Sequence, residues 1–166
     1  MSIIDETLKA NADYARNFAH ANLPMPPGRK LAVVACMDAR LDIPRILGLK
    51  AGEAHIIRNA GGIADESALR SLIISQDLLG TEEIMFIHHA DCGMLTFNEN
   101  EYIPKLRKQT GASAVAPNRF YAFSNLEEDV REQVQKTKAH PWIRKGTTVR
   151  GFVYDVKTGK LKEVSA

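Results

Sequence analysis

Residues Leu31-Ala32-Val33-Val34-Ala35-Cys36 form an unbroken apolar run with no polar alternation. A strand of this kind has no face to offer to water, so it belongs inside a sheet covered on both sides. Two further runs have strand character, Ala54-His55-Ile56-Ile57-Arg58 and Glu83-Ile84-Met85-Phe86-Ile87-His88. Between them, residues 65–79 carry Ala68, Leu69, Leu72, Ile73 and Leu79 as the apolar faces of a helix, with Asp65 placed to cap it. Strand, crossover and strand in that order imply parallel pairing with right-handed connections. The expected fold class is α/β, a mainly parallel central sheet flanked by helices, in one domain spanning residues 1–166.

The remaining segments fit around such a sheet. Residues 3–22 read as an amphipathic helix with Ile4, Leu8, Tyr14, Ala15 and Phe18 roughly on one face, stopped by Leu23-Pro24-Met25-Pro26-Pro27-Gly28. That apolar face needs a surface, on its own subunit or on a partner. Ser124-Asn125-Leu126-Glu127 has the capping-box pattern and opens a helix with Leu126, Val130 and Val134 four residues apart. Acids in its first turn and lysines near its last suit the helix dipole. Residues 147–155 and 161–164 read as strands joined by a turn, and Pro104 must start or interrupt a helix within 97–110.

Charge excludes two classes of partner. Twenty-two basic and 20 acidic side chains leave a formal charge of +2, with no concentrated stripe to bind nucleic acid or a membrane surface. No apolar run approaches the roughly 18 residues needed to span a bilayer, and the N-terminus lacks the apolar stretch of a signal peptide. A soluble, cytoplasmic protein is expected. It has only two cysteines, Cys36 and Cys92, and in a reducing compartment such a pair more often has a chemical role than a stapling one.

Cys36 ends the first strand, while His89 and Cys92 follow the third in His-Ala-Asp-Cys. Open parallel sheets gather ligands and catalytic groups at the carboxyl ends of their strands. Two cysteines and one histidine with a fourth position open is a catalytic zinc arrangement. His88 lies nearest as a fourth ligand, but strand alternation points it away from His89. Spacing alone leaves other readings open: cysteines as small buried hydrophobes, or a Cys36–Cys92 disulfide.

Two thiolates cancel the charge of zinc, so such a metal acidifies its water less than one held by three neutral histidines. Asp38 reaches the same cavity, and Arg40 can hold it in a bidentate pair that keeps it ionised and off the metal. Without a metal the pair is a loop salt bridge of little worth. Gly61-Gly62 can let backbone approach the pocket, and N–H groups at the start of the Asp65 helix suit an anionic product. The glycine pair also reads as an ordinary turn; as a phosphate loop it lacks the G-x-G-x-x-G spacing. Asp91 is a candidate partner for a metal ligand. Met37, Leu41, Ile63 and Met94 flank the motif residues and are candidates to line an apolar pocket. His20, His55 and His140 carry no motif, and Tyr14 and Phe18 read as packing residues.

Cys36-Met37-Asp38-Ala39-Arg40, Arg58-Asn59-Ala60-Gly61-Gly62 and His88-His89-Ala90-Asp91-Cys92-Gly93 together resemble the signatures of the β-class carbonic anhydrases, in their short form. The resemblance implies zinc on Cys36, His89 and Cys92, one ion per chain, and an aspartate–arginine dyad at Asp38 and Arg40. The family's usual serine between the dyad residues is Ala39 here, a small-for-small change. It further implies hydration of CO₂ to bicarbonate by metal-bound hydroxide. Some relatives hydrolyse carbonyl sulfide or carbon disulfide by the same attack, so these are the rival substrates. A non-catalytic zinc protein on the same fold is a rival of another class, and a two-cysteine redox protein a weaker one, since Cys-x-x-Cys is absent. The family pairs subunits through the N-terminal helix, which implies a homodimer or homotetramer.

Overall fold

The computed structural model describes residues 2–165. The apolar run is strand β1 (Leu31–Cys36), with Ala32 to Ala35 wholly buried. It joins β2 (Ala54–Asn59), β3 (Glu83–His89), β4 (Thr148–Tyr154) and β5 (Leu161–Val164) in the order β2-β1-β3-β4-β5. Pairing is parallel throughout except between β4 and β5, where the turn at residues 155–160 returns the chain antiparallel. Among the described residues five α-helices accompany the sheet: α1 (Ile3–Arg16), α2 (Ile43–Leu47), α3 (Glu66–Asp77), α4 (Glu99–Thr110) and α5 (Leu126–Ala139).

From β1 the chain steps to β2 on one side and then crosses to β3 on the other. The carboxyl ends of β1 and β3 therefore flank the point where strand order reverses, which is where open α/β sheets form crevices. One face of the sheet presents Ala32, Val34, Ile84 and Phe86 to Ala68 and Leu72 of α3 and Val134 of α5. The opposite face presents Val33, Ala35 and Ile87 to Leu41, Ile43 and Met94. α5 lies very close to β4 because Gly151 has no side chain: a Cβ there would collide with Val130 and stand 3.0 Å from Val134.

Three local expectations need correction. The N-terminal helix ends at Arg16, not at residue 22: Asn17 closes it with its N–H on the Tyr14 and Ala15 carbonyls. Asparagine is a weak helix former, and no residue of α1 is buried to hold further turns in place. The cap of α5 is Asn125, whose side chain accepts from Glu128 N–H, rather than Ser124. Glu127 is drawn instead to Lys162 at 2.6 Å and to Arg131 at 3.3 Å, so the reciprocal half of the box is not made. Pro104 neither starts nor breaks a helix: α4 begins at its Asn98 cap and runs through the proline to Thr110. Asp65 caps α3 by accepting from Ala68 N–H at 2.7 Å. Among the described residues no helix is long and apolar enough to cross a membrane.

Candidate metal centre

β1 and β3 end side by side, and their last residues deliver Cys36 and His89 to one buried place. The chain then turns through Asp91, which adopts a left-handed conformation (φ 59°), and returns Cys92 to the same point. The turn is locked by Ala90 N–H, which donates to the Tyr154 carbonyl at 2.9 Å. The donor atoms of Cys36, His89 and Cys92 lie within 4.8 Å of one another, and all three residues are buried.

The two sulfurs stand 4.0 Å apart, far beyond the roughly 2.05 Å of a disulfide. They are close to the edge of a tetrahedron with metal–sulfur bonds of about 2.3 Å, which is roughly 3.8 Å. His89 Nδ1–H donates to the Ala90 carbonyl at 2.9 Å, which fixes the ring and its tautomer. Its Nε2 is then a lone pair that is buried and without a hydrogen-bond partner among the described residues. An unsatisfied buried acceptor costs free energy. A cation between it and two sulfurs removes that cost, so the donor set fits zinc.

Without a metal the two thiols share protons. The contact with the Cys92 sulfur pushes the Cys36 pKa down, against the opposing effect of burial and with help from His89 and the N–H groups of Asp38 and Gly61. Cys92 is raised by the same contact and by burial. Burial opposes a charge on His89, but Cys36 outweighs it and raises its pKa.

Arg40 grips Asp38 as a fork, with Nε to Oδ1 at 2.9 Å and Nη2 to Oδ2 at 2.7 Å, while its own N–H also donates to Oδ1. These bonds hold the Asp38 carboxyl well below the usual carboxylate range. Asp38 Oδ2 lies 3.7 Å from His89 Nε2, on the edge of the ligand cluster. Arg40 also donates to Asp91, through Nη1 to Oδ2 at 2.8 Å and Nη2 to the carbonyl at 3.0 Å. Asp91 thus partners the arginine, not a metal ligand.

Gly62 sits where β1 and β3 leave almost no room: a Cβ would stand 3.0 Å from Cys36 N and 3.2 Å from the Ile87 carbonyl. Gly61 lies against Ile63 and Met94, both buried. Leu41 is buried too, whereas Met37 is 65 % exposed and lines nothing closed. The start of α3 is a poorer anion site than its N–H groups alone imply, because the Asp65 carboxylate already occupies it. His88 points to the opposite face of the sheet and bonds Asp129.

Sequence reasoning missed the part played by Arg58. It donates through Nε and Nη2 to the Cys36 carbonyl and through Nη2 to the Asp38 carbonyl at 2.7 Å, clamping the turn that carries ligand and dyad. Its place before Asn59, in a strand paired with β1, was the available signal.

Residues 31–161 match the family model described as carbonic anhydrase. "Beta-carbonic anhydrase 1" of Mycobacterium tuberculosis is 48 % identical over 166 residues, covering 99 % of both chains. The chain belongs to the β-class carbonic anhydrase family. Among solved structures, the carbonic anhydrase from Streptococcus mutans superimposes with a TM-score of 0.93 at 41 % identity, covering 99 % of each chain. The family's reach is wider than one substrate: "Carbon disulfide hydrolase" of Saccharolobus solfataricus is 31 % identical, over 96 % of this chain and 88 % of that one. Both named activities are enzymatic, so this carbonic anhydrase family member sits among enzymes.

Proposed function

We propose that this chain hydrates CO₂ to bicarbonate, with one zinc ion held by Cys36, His89 and Cys92 and with Asp38 and Arg40 as the working pair beside it. The observation that carries the reading is His89 Nε2, buried and unpartnered beside two thiols. The likeness to a β-carbonic anhydrase over the full chain supports it. Zinc, when bound, supplies Lewis acidity that makes a water molecule nucleophilic near neutral pH.

The chain's own groups do the rest. Arg40 occupies two acceptor sites on Asp38 Oδ1, through Nε and its backbone N–H, and one on Oδ2, which keeps the carboxylate charged and turned. Oδ1 is thereby filled, while Oδ2 keeps a second acceptor site. Oδ2, the oxygen 3.7 Å from His89 Nε2, can use it to take a hydrogen bond from a water beside the ligands and aim that water's lone pair. Arg58 holds the backbone between Cys36 and Asp38 so that the two side chains keep their spacing. Ile63 and Met94 offer a weakly polar neighbourhood to a linear, apolar molecule. Stopped-flow CO₂ hydration by zinc-loaded protein tests the proposal, and a rate no higher than the buffer's refutes it.

Hydrolysis of carbon disulfide or carbonyl sulfide is the second reading. Met94 beside Gly61 favours it, since a polarizable thioether accepts sulfur at little cost. Side-by-side assays with CO₂ and carbonyl sulfide separate the two.

The chain works as a homodimer or homotetramer, with α1 lying on a second copy. Ile3, Ile4, Leu8 and Tyr14 of α1 are each more than half exposed, and none of its residues finds cover in its own subunit. A row of apolar side chains of this kind marks an association surface. Two unbridged thiols 4.0 Å apart suit a cytoplasmic setting.

A further inference from the structure

β3 sends its last two residues to opposite faces of the sheet. His89 goes to the metal centre, and His88, equally buried, goes to α5. There its Nε2–H donates to Asp129 Oδ2 at 2.6 Å, and its other nitrogen has no partner among the described residues. The Asp129 bond alone therefore orients the ring by hydrogen bonding. Asp129 Oδ1 accepts from Gln133 Nε2 at 3.1 Å, one helical turn along α5. Gln133 Oε1 in turn accepts from Ala64 N–H at 3.0 Å. Ala64 closes the segment whose Gly62 is pressed against Cys36 N and the Ile87 carbonyl. Two turns of one helix thus hold both walls of the metal centre from behind, the end of β3 and the 60–64 segment.

Packing does not require this arrangement. Val130 and Val134 already seat α5 on Gly151, and an apolar pair at 88 and 129 would add to that contact without the desolvation that a buried carboxylate and imidazole demand. What a fully connected polar chain adds is direction. Fixing the His88 side chain fixes the rotation of β3 about its axis, and with it the line along which His89 leaves the strand. We propose that Asp129 is a positioning residue for the metal ligands, acting on His89 through His88 and on the Gly61–Ala64 wall through Gln133. The inference rests on the zinc reading above.

The decisive variant is Asp129→Asn, which keeps volume and shape. A carboxylate accepts at both oxygens; an amide accepts at one and donates at the other. The introduced amide can serve His88 through its oxygen, but its NH₂ then faces the Gln133 NH₂. Turning the Gln133 amide to relieve that contact sets its NH₂ against Ala64 N–H. One link must fail. Gln133→Met, near in volume and without polar atoms, cuts the Ala64 link alone and serves if the first variant folds poorly. Val134→Ala, on the same helix, is the control for plain destabilisation.

Each protein is loaded with cobalt(II) to read the thiolate-to-metal and d–d absorption bands, and zinc release to a chromophoric chelator is timed. The expected result is an altered cobalt spectrum, with zinc release about 3- to 10-fold faster, in Asp129→Asn and in Gln133→Met, toward the low end of what partners of metal ligands contribute. Val134→Ala should melt earlier with the wild-type spectrum. Unchanged spectra and release rates in both network variants overturn the inference, even if both melt earlier. Wild-type protein that takes up neither metal overturns the zinc reading itself, and this inference with it.

Discussion

His89 Nε2 stands 3.7 Å from Asp38 Oδ2, too far for a hydrogen bond and with nothing bonded to the nitrogen among the described residues. The gap is maintained by Arg40, which draws the carboxylate towards itself through two parallel bonds and tethers the pair to Asp91. Were the carboxylate free to swing, it could close on the histidine or on a metal and fill the open position.

Removing the dyad should therefore separate metal binding from turnover. Asp38→Ala should keep zinc and lose CO₂ hydration by about 10²-fold, in the range of one positioned proton acceptor. Arg40→Ala should also lose activity, and its freed carboxylate should displace small anionic inhibitors by competing for the metal. Wild-type rates in both variants, with zinc contents matched by elemental analysis, would reduce the pair to a loop salt bridge.

Removing a ligand should do the reverse. Cys36→Ala, His89→Ala and Cys92→Ala each leave two donors of the buried three, and purified variants should carry well under one zinc per chain. Binding to the folded state alone stabilises it by mass action, so chelation of the wild-type protein should lower its melting temperature. Full zinc in any of the three variants would remove that residue from the site.

Much of this was legible along the chain, for definable reasons. β1 declared itself because a run apolar at every position has few places to go, and the carboxyl-end rule then put Cys36 and His89 together. The cap of α5 was harder: Ser124 and Asn125 both cap helices well, and the choice is made by Lys162, far along the chain, which takes the Glu127 carboxylate. Short α2 has no apolar periodicity to read, although Asp42 and Pro44 mark its start. Arg58 and Asp129 act on the site from neighbouring elements, and that proximity exists only once the sheet is formed.

The exposed apolar row on α1 makes a prediction about assembly. Leu8→Asp, alone or with Ile4→Asp, should shift the protein towards monomer in light scattering at micromolar concentration. The helix itself should persist, since its Ser2–Asp5 capping box is untouched. A wild-type monomer with full activity would refute the dimer.

Gly62 offers the sharpest test of how the fold makes the site. It has φ 75°, and Gly80 has φ 74°, so alanine at either position pays the same left-handed strain, about 1–2 kcal/mol. Their surroundings differ. A Cβ at Gly80 meets nothing within 4 Å, whereas one at Gly62 would stand 3.0 Å from Cys36 N, 3.1 Å from the Ala35 carbonyl carbon and 3.2 Å from the Ile87 carbonyl oxygen. Those atoms are backbone of β1 and β3 and cannot rotate aside. Gly62→Ala should therefore cost about 1–3 kcal/mol more than Gly80→Ala in urea unfolding, the usual range for overpacking. Because relief of the clash must move the strand ends that carry Cys36 and His89, zinc affinity should fall in Gly62→Ala and stay unchanged in Gly80→Ala. Equal costs and equal affinities in the two variants would mean that Gly62 is needed only for its backbone angle, and that close approach of β1 and β3 plays no part in shaping the metal centre.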